Sequence, residues 1–282
     1  MNPRDFIPPI LFQLMKKSNP LNNKPFNSYE SATAACKSGY ENDSLVTVVY
    51  EKTKKYRDVL MSEGPPSDIT SLRTFIGLSL SLDSSKDLNV IDFGGACGAH
   101  YFLAKSLLRD RIGLHWHVVE TPSMVKSAIS LENEELKFYN DLDKAKNELG
   151  SVDIVFTSYA LPYLPNPYES LKRLVKCRAS NILITRMPLS TLSHELITIQ
   201  TSKLSSNGPG PMPSGMKDGI IQFPVTFVRK DKFEEIISKD YQVQIIFTED
   251  KGAYAVGKYS IDMYGYFCSS KKKQNRISKN ID

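Results

Sequence analysis

The residues with the clearest chemical potential form a strand-to-turn transition, Val90-Ile91-Asp92-Phe93-Gly94-Gly95-Ala96-Cys97-Gly98. An apolar strand that runs into small residues and then a helix leaves unsatisfied amide N–H groups beside the strand's carboxyl end. That crevice is where nucleotide-like ligands sit, and small side chains let a ligand touch the backbone. Gly94, Ala96 and Gly98 alternate as glycine-small-glycine; this is not the G-x-G-x-x-G of dinucleotide sites, since position 96 is Ala and Gly94 and Gly95 are adjacent. A second apolar run, Trp116-His117-Val118-Val119-Glu120, ends in a carboxylate. Two neighbouring strand tips, one glycine-rich and one acidic, suit an adenosine ribose whose hydroxyls donate to Glu120; the plainer role for Glu120 is a helix-start acid before Pro122. Asp141 can meet an adenine amino group or serve as an exposed loop acid. A further run, Asp153 to Ser158, ends in small polar residues followed by Tyr159 and Tyr163, which either line the pocket or pack in the core. The expected ligand-binding set is therefore Asp92, Gly94, Gly95, Gly98, Glu120, Asp141, Ser158 and Tyr159.

A sheet must hold these tips together. From Leu88 onward short apolar runs alternate with helical stretches, the signature of βα units and a parallel sheet. The pattern predicts strands at Asn89–Phe93, His115–Glu120, Leu136–Phe138, Asp153–Ser158 and Asn181–Arg186, with helices at about Tyr101–Arg109, Ser123–Leu131 and Pro167–Lys176. Beyond Met187 it predicts a helix near Leu192–Leu204, a Gly/Pro-rich loop from Ser205 to Gly219, a helix near Lys230–Ser238, and strands Gln242–Thr248 and Tyr259–Cys268 that add an antiparallel edge hairpin. The fold class is α/β, a doubly wound, mostly parallel seven-stranded sheet with an N-terminal helical cap. Residues 1–84 form the helical segment and cap: a short amphipathic helix after Pro9, a linker from Ser18 to Asn27, then helices from Ser28 through Cys36, Leu45–Leu60 and Ile69–Leu82. Residues 85–268 form the α/β domain with a substrate-side insertion near 190–240, and 269–282 a basic disordered tail.

Composition agrees with one large α/β domain or a domain with a modest appendage: 282 residues, 41% of them hydrophobic, suffice for a sizeable core. The four cysteines, Cys36, Cys97, Cys177 and Cys268, are widely spaced and make no metal or redox motif, so reduced thiols and a cytoplasmic location are expected and no metal is implied. No run approaches the roughly 20 apolar residues that cross a bilayer, and the N-terminus lacks a secretory pattern. The formal charge of +5 is concentrated in Lys271, Lys272, Lys273, Arg276 and Lys279, which argues against a nucleic-acid-binding body. The tail and the N-terminal helix are the candidates for weak peripheral membrane contact; the oligomeric state is not legible.

Asp92-Phe93-Gly94-Gly95, Trp116 to Glu120 and Asp153 to Pro167 resemble motifs of the class I S-adenosylmethionine-dependent methyltransferases. More narrowly, Phe26-Asn27-Ser28-Tyr29-Glu30-Ser31-Ala32, Ser38-Gly39-Tyr40 and the Arg57-Asp58 pair are similar to an uncharacterised branch of methyltransferases encountered with bacterial surface-polysaccharide genes. The likeness spans most of residues 24 to 250. It departs at Cys97 and His100, and at Thr185-Arg186-Met187-Pro188, which only approximates an Arg-Thr-Pro. The resemblance implies S-adenosyl-L-methionine as cofactor and transfer of its methyl group, to oxygen, on a small-molecule or saccharide-like acceptor such as a surface-glycan precursor.

Methyl transfer is an in-line displacement at a sulfonium, so the acceptor atom must be aligned and water excluded, and a hydroxyl acceptor gains from a general base. The candidates are His100, just past the glycine turn; His194, in the region where a substrate wall belongs; and Arg186, at the tip of the fifth strand, which can neutralise an acidic sugar or phosphate or else form a structural salt bridge. His115 and His117 alternate around Trp116 and face away from it. The loop Asn207 to Gly215 is a lid or a plain surface loop. Against methyl transfer stand an inactive methyltransferase fold that binds within a glycan assembly complex and a nicotinamide-dependent oxidoreductase, the latter disfavoured by the glycine spacing and the lack of a Tyr-x-x-x-Lys pair.

Overall fold

The computed structural model describes residues 24–37, 39–40, 42–66, 68–82 and 87–272. The helix expected after Pro9 and the tail beyond residue 272 lie outside the described residues. No helix among these residues is long and apolar enough to cross a membrane.

Three helices come first: α1 (Tyr29–Ala35), α2 (Asp43–Glu63) and α3 (Ile69–Ser81). Side chains fix their starts, because the first N–H groups of a helix lack internal partners. Ser28 Oγ accepts from Ser31 N–H, Asn42 from Ser44 and Leu45, and Asp68 from Thr70 and Ser71.

The sheet is built from β1 (Asp87–Phe93), β2 (Gly113–Val119), β3 (Leu136–Tyr139), β4 (Ile154–Ser158) and β5 (Asn181–Leu189), all parallel, and from a long hairpin, β8 (Tyr241–Val256) and β9 (Tyr259–Ser270). Its order is β3-β2-β1-β4-β5-β9-β8, with β9 antiparallel to both neighbours. The crossovers carry α4 (Ala99–Leu108), α5 (Pro122–Ala128), α6 (Leu142–Leu149) and α7 (Pro167–Lys176), and α8 (Lys230–Ser238) precedes the hairpin. Helices cover both faces, which is why β4 is buried along its whole length and apolar from Ile154 to Phe156. On one face Val90, Trp116 and Phe156 pack with Leu45, Leu78, Tyr101 and Ala104 from α2, α3 and α4. On the other Ile91, Val155 and Ile182 pack with Leu142, Leu171 and Leu174 from α6 and α7. The helix after β1 and the helix after β4 thus lie on opposite faces. That reversal opens a crevice between the tips of β1 and β4.

One expected element is wrong. Residues 196–203 form a strand, β6 (Leu196–Lys203), paired antiparallel with β7 (Ile220–Phe227) in a separate two-stranded sheet. Leu192, Leu196 and Ile199 have helical spacing, but the run Ile197-Thr198-Ile199 is β-branched and finds an extended partner, which decides for strand. Pro224 lies inside β7, tolerable because a two-stranded ribbon leaves edges that need no N–H donor. The late hairpin is as expected but longer: β8 runs to Val256, and Tyr254, Val256 and Ile261 near its tip pack against Leu196, Val225 and Phe227 of the small sheet. The basic tail begins later than position 269, since Ser269 and Ser270 still pair with Gln242 and Tyr241.

Candidate functional site

The turn after β1 departs from ordinary backbone at alternate residues: Gly94, Ala96 and Gly98 have φ of 73°, 49° and 80°. Glycine at 94 answers to more than φ, because a Cβ there would lie 2.2 Å from Ala160 Cβ, across the crevice on the segment after β4. A Cβ on Gly95 would lie 2.3 Å from the Asp92 carboxylate. The small residues therefore close the protein on itself as well as presenting backbone. Gly98 is the left-handed N-cap of α4.

Asp92 is fully buried, and its Oδ2 accepts from Trp116 Nε1 at 3.1 Å and stands 3.2 Å from His100 Nδ1. His100 packs on Phe156 and has Asp92 as its partner, so it is tied to the turn.

Glu120 follows β2 and is buried. Its Oε1 accepts from Ala96 N–H (3.1 Å) and from the Tyr40 hydroxyl (3.2 Å), and its Oε2 accepts from Thr121 N–H (2.8 Å). Burial pushes this carboxyl above the ordinary glutamate range; the two N–H donors and the Tyr40 hydroxyl oppose that shift, and the Asp92 charge adds to it. Thr121 Oγ1 and Thr157 Oγ1, near the ends of β2 and β4, are buried without a hydrogen-bond partner among the described residues. Unsatisfied buried hydroxyls at strand tips fit a polar ligand there. A buried carboxylate, turn amides and hydroxyls are a donor and acceptor set that fits a ribose-bearing cofactor, with Glu120 for its hydroxyls.

The β4 and β5 tips form the second half of the site. Ser158 Oγ accepts from Thr185 Oγ1 (2.7 Å) and Arg186 Nε (2.9 Å). A register shift in β5 between Ile184 and Met187 puts Arg186 at φ 53° and turns its guanidinium over the Tyr159 ring. Such bulges re-aim a side chain beside a site. Glu249 of β8 accepts from the Arg186 backbone N–H and from Arg73 Nη1, so one carboxylate holds the bulged backbone and a guanidinium group. Tyr159 and Tyr163 hydroxyls both donate to Gln200 Oε1 of β6, at 3.0 and 2.7 Å, and Tyr159 also bonds the Tyr254 hydroxyl. Phe223 of β7 packs on Tyr163 and on Tyr40. Burial raises the Tyr159 and Tyr163 phenols above the usual range. Five non-glycine residues among those described have positive φ: Ala96, Arg109, Tyr159, Arg178 and Arg186. Three of the five sit just past β1 and β4 and at the bulge inside β5, which continues beyond Arg186 to Leu189, and strain of this kind gathers at functional sites.

The remaining sequence candidates fall elsewhere. Asp141 is exposed and caps α6 by accepting from Lys144 N–H at 2.7 Å. His194 is exposed in the loop between β5 and β6, its ring against Tyr259, and no contact joins it to the turn, Glu120 or Arg186. His117 Nδ1 donates to the Ala145 carbonyl on the opposite face from Trp116, as expected. The 207–215 loop is pinned at its root, where the buried Lys52 ammonium of α2 donates to the Ser205 and Asn207 carbonyls at 2.8 and 2.7 Å. Nothing in the sequence marks Tyr40, Gln200, Phe223, Tyr254 or Glu249 as site residues, because each reaches the site only through a long-range contact.

No sequence-family model matches the chain, and no curated protein matches it. Among solved structures it is similar to LepI in complex with SAM, at 12% identity and TM-score 0.45 over 77% of this chain and 52% of that one. It is also similar to the N-terminal domain of EvdMO1 with SAH bound, at 12% identity and TM-score 0.43 over 73% and 83%. A third is an S-adenosylmethionine-dependent methyltransferase from Clostridium acetobutylicum, at 9% identity and TM-score 0.45 over 78% and 98%. The chain spans about half the length of LepI. Likeness at this level does not extend to ligand or reaction.

Proposed function

We propose that this chain is an S-adenosylmethionine-dependent methyltransferase that methylates an oxygen of a small, saccharide-like acceptor, a surface-glycan precursor being the leading case. The observation that carries the reading is the buried Glu120 carboxylate at the β2 tip, joined to the turn after β1 through Ala96 N–H. The strand order supports this cofactor over a nicotinamide dinucleotide. Dinucleotide sheets run parallel throughout in the order 3-2-1-4-5-6, whereas here the antiparallel β9 lies between β5 and β8.

When bound, the cofactor supplies an electrophilic methyl group on a sulfonium. Glu120 would hold the ribose and the Gly94–Gly98 turn would bring its amides to the cofactor, with Asp92 and Ser158 supporting the strand tips. Tyr159, Tyr163, Tyr254 and Gln200 would form a hydroxyl-rich acceptor wall, and the segment after β4 would exclude water. With its phenols shifted upward, this wall is a poor general base near neutral pH. The acceptor that suits it is already anionic, a sugar carboxylate or phosphate, which Arg186 would orient.

The same observation favours one second reading, a catalytically inactive methyltransferase fold that binds such a ligand within a glycan assembly complex. Incubation with methyl-labelled S-adenosylmethionine and a panel of neutral and acidic sugars separates the two. The proposal expects label in an acidic sugar and loss of transfer in Arg186→Ala; acceptor binding with no label transferred supports the inactive binder.

A further inference from the structure

Glu120 is more fully engaged than a carboxylate waiting for a sugar needs to be. An ionised carboxylate offers about four lone-pair positions. Three are filled, on Oε1 by Ala96 N–H and the Tyr40 hydroxyl, and on Oε2 by Thr121 N–H. The two N–H donors belong to the backbone around the turn and the strand tip, so they stay. A ribose diol that donates two hydrogen bonds needs two acceptor positions. Among the described residues one is unclaimed on Oε2, and the other is the one Tyr40 holds.

Tyr40 comes from the segment between α1 and α2, outside the sheet. Its ring lies 6.1 Å from Phe223, whose ring lies 5.6 Å from Tyr163 of the acceptor wall. Glu120, Tyr40, Phe223 and Tyr163 thus form one line of contacts from the ribose position to the acceptor wall.

Building on the cofactor reading above, we propose that the Tyr40 hydroxyl is a stand-in for a ribose hydroxyl on Glu120, and that cofactor binding exchanges one for the other. Release of Tyr40 frees its ring to shift against Phe223, so cofactor occupancy is reported to the acceptor side. No bond is made or broken except hydrogen bonds: the phenol gives up Glu120 Oε1 and the sugar hydroxyl takes it. The sign of the effect is unusual for a residue in contact with a binding carboxylate. Removing the hydroxyl removes a competitor, so binding tightens.

Calorimetric titration with S-adenosylhomocysteine of the full chain and of Tyr40→Phe tests this. The expected result is tighter binding to Tyr40→Phe by about 5-fold, the worth of one net hydrogen bond, and no difference between the two proteins for an analogue lacking both ribose hydroxyls. A purely structural role would move both ligands alike. In the otherwise unaltered chain, 3-fluorotyrosine placed at position 40 should shift its fluorine resonance on adding S-adenosylhomocysteine, and should not shift in a Glu120→Gln background. Equal or weaker binding by Tyr40→Phe, or an unmoved resonance in protein that binds the ligand, overturns the exchange and leaves the cofactor reading standing. A wild-type chain that does not bind S-adenosylhomocysteine overturns both.

Discussion

Trp116 Nε1 donates to Asp92 Oδ2 across 3.1 Å, tying the middle of β2 to the last turn of β1 beneath the glycine segment. The carboxylate is fully buried, and this indole and His100 are its side-chain partners. Trp116→Phe keeps a large ring but leaves a buried acceptor short of a donor. It should destabilise the chain by about 2–3 kcal/mol, as expected for a hydrogen bond to a charged group, measured as a lower midpoint in urea at unchanged slope.

Gly94 lies close against Ala160 across the crevice. Alanine there meets Ala160 Cβ at 2.2 Å and also occupies φ 73°. Gly94→Ala should cost about 1–3 kcal/mol from strain of this kind and should weaken S-adenosylhomocysteine binding by moving the segment after β4. Thermal melting with and without the ligand reads both effects.

Gln200 serves two phenols at once, at 3.0 and 2.7 Å. Gln200→Leu leaves the Tyr159 and Tyr163 hydroxyls without that acceptor while sparing Glu120. Turnover on the acceptor should fall on the order of 10-fold in kcat/KM, about 1.4 kcal/mol, with cofactor affinity unchanged. An equal loss of cofactor affinity would place the tyrosine wall on the cofactor side instead.

Much of this site was legible from periodicity and from the types of residue at strand tips. Val90–Gly98 and Trp116–Glu120 announce themselves because a central parallel strand is a short apolar run and its tip must turn. The partners of those tips are another matter. Tyr40 and Glu120 are 80 residues apart, and Tyr159 and Tyr254 are 95 apart, so nothing local marks either pair. β6 has the look of a helix in sequence because Leu192, Leu196 and Ile199 keep helical spacing, and only pairing with β7 settles such a short run. Arg186 was recognisable as a tip residue, but the bulge that swings it over Tyr159 depends on β9 as the antiparallel neighbour.

Glu120 gives the site a pH dependence with a definite sign. Its carboxyl is raised in the folded chain by burial, and ribose hydroxyls are accepted by the ionised form. Affinity for S-adenosylhomocysteine should therefore be full above that raised value and fall as pH drops through it, with a midpoint above the ordinary glutamate value of about 4.3. Folding stability has the opposite slope for this group: its contribution is fully present below the unfolded value and is lost as pH rises through the folded one. Equilibrium dialysis across pH 4–8, flat in Glu120→Gln, checks the binding arm.

Thiol chemistry separates Cys36 from the other three. Burial pushes the Cys97 and Cys268 thiols up to about 12 and Cys177 to about 11, while Cys36 is partly exposed and raised less. Iodoacetamide at pH 8 should label native protein at Cys36 alone, by peptide mass mapping, and all four after unfolding.

The central claim is a cofactor site at Glu120, and calorimetric titration of the full chain with S-adenosylhomocysteine reaches it most directly. Saturable one-to-one binding, weakened at least 10-fold in a folded Glu120→Ala variant, is the predicted result. Folded wild-type protein that releases no heat with S-adenosylhomocysteine, or a Glu120→Ala variant that binds as tightly as wild type, would contradict it.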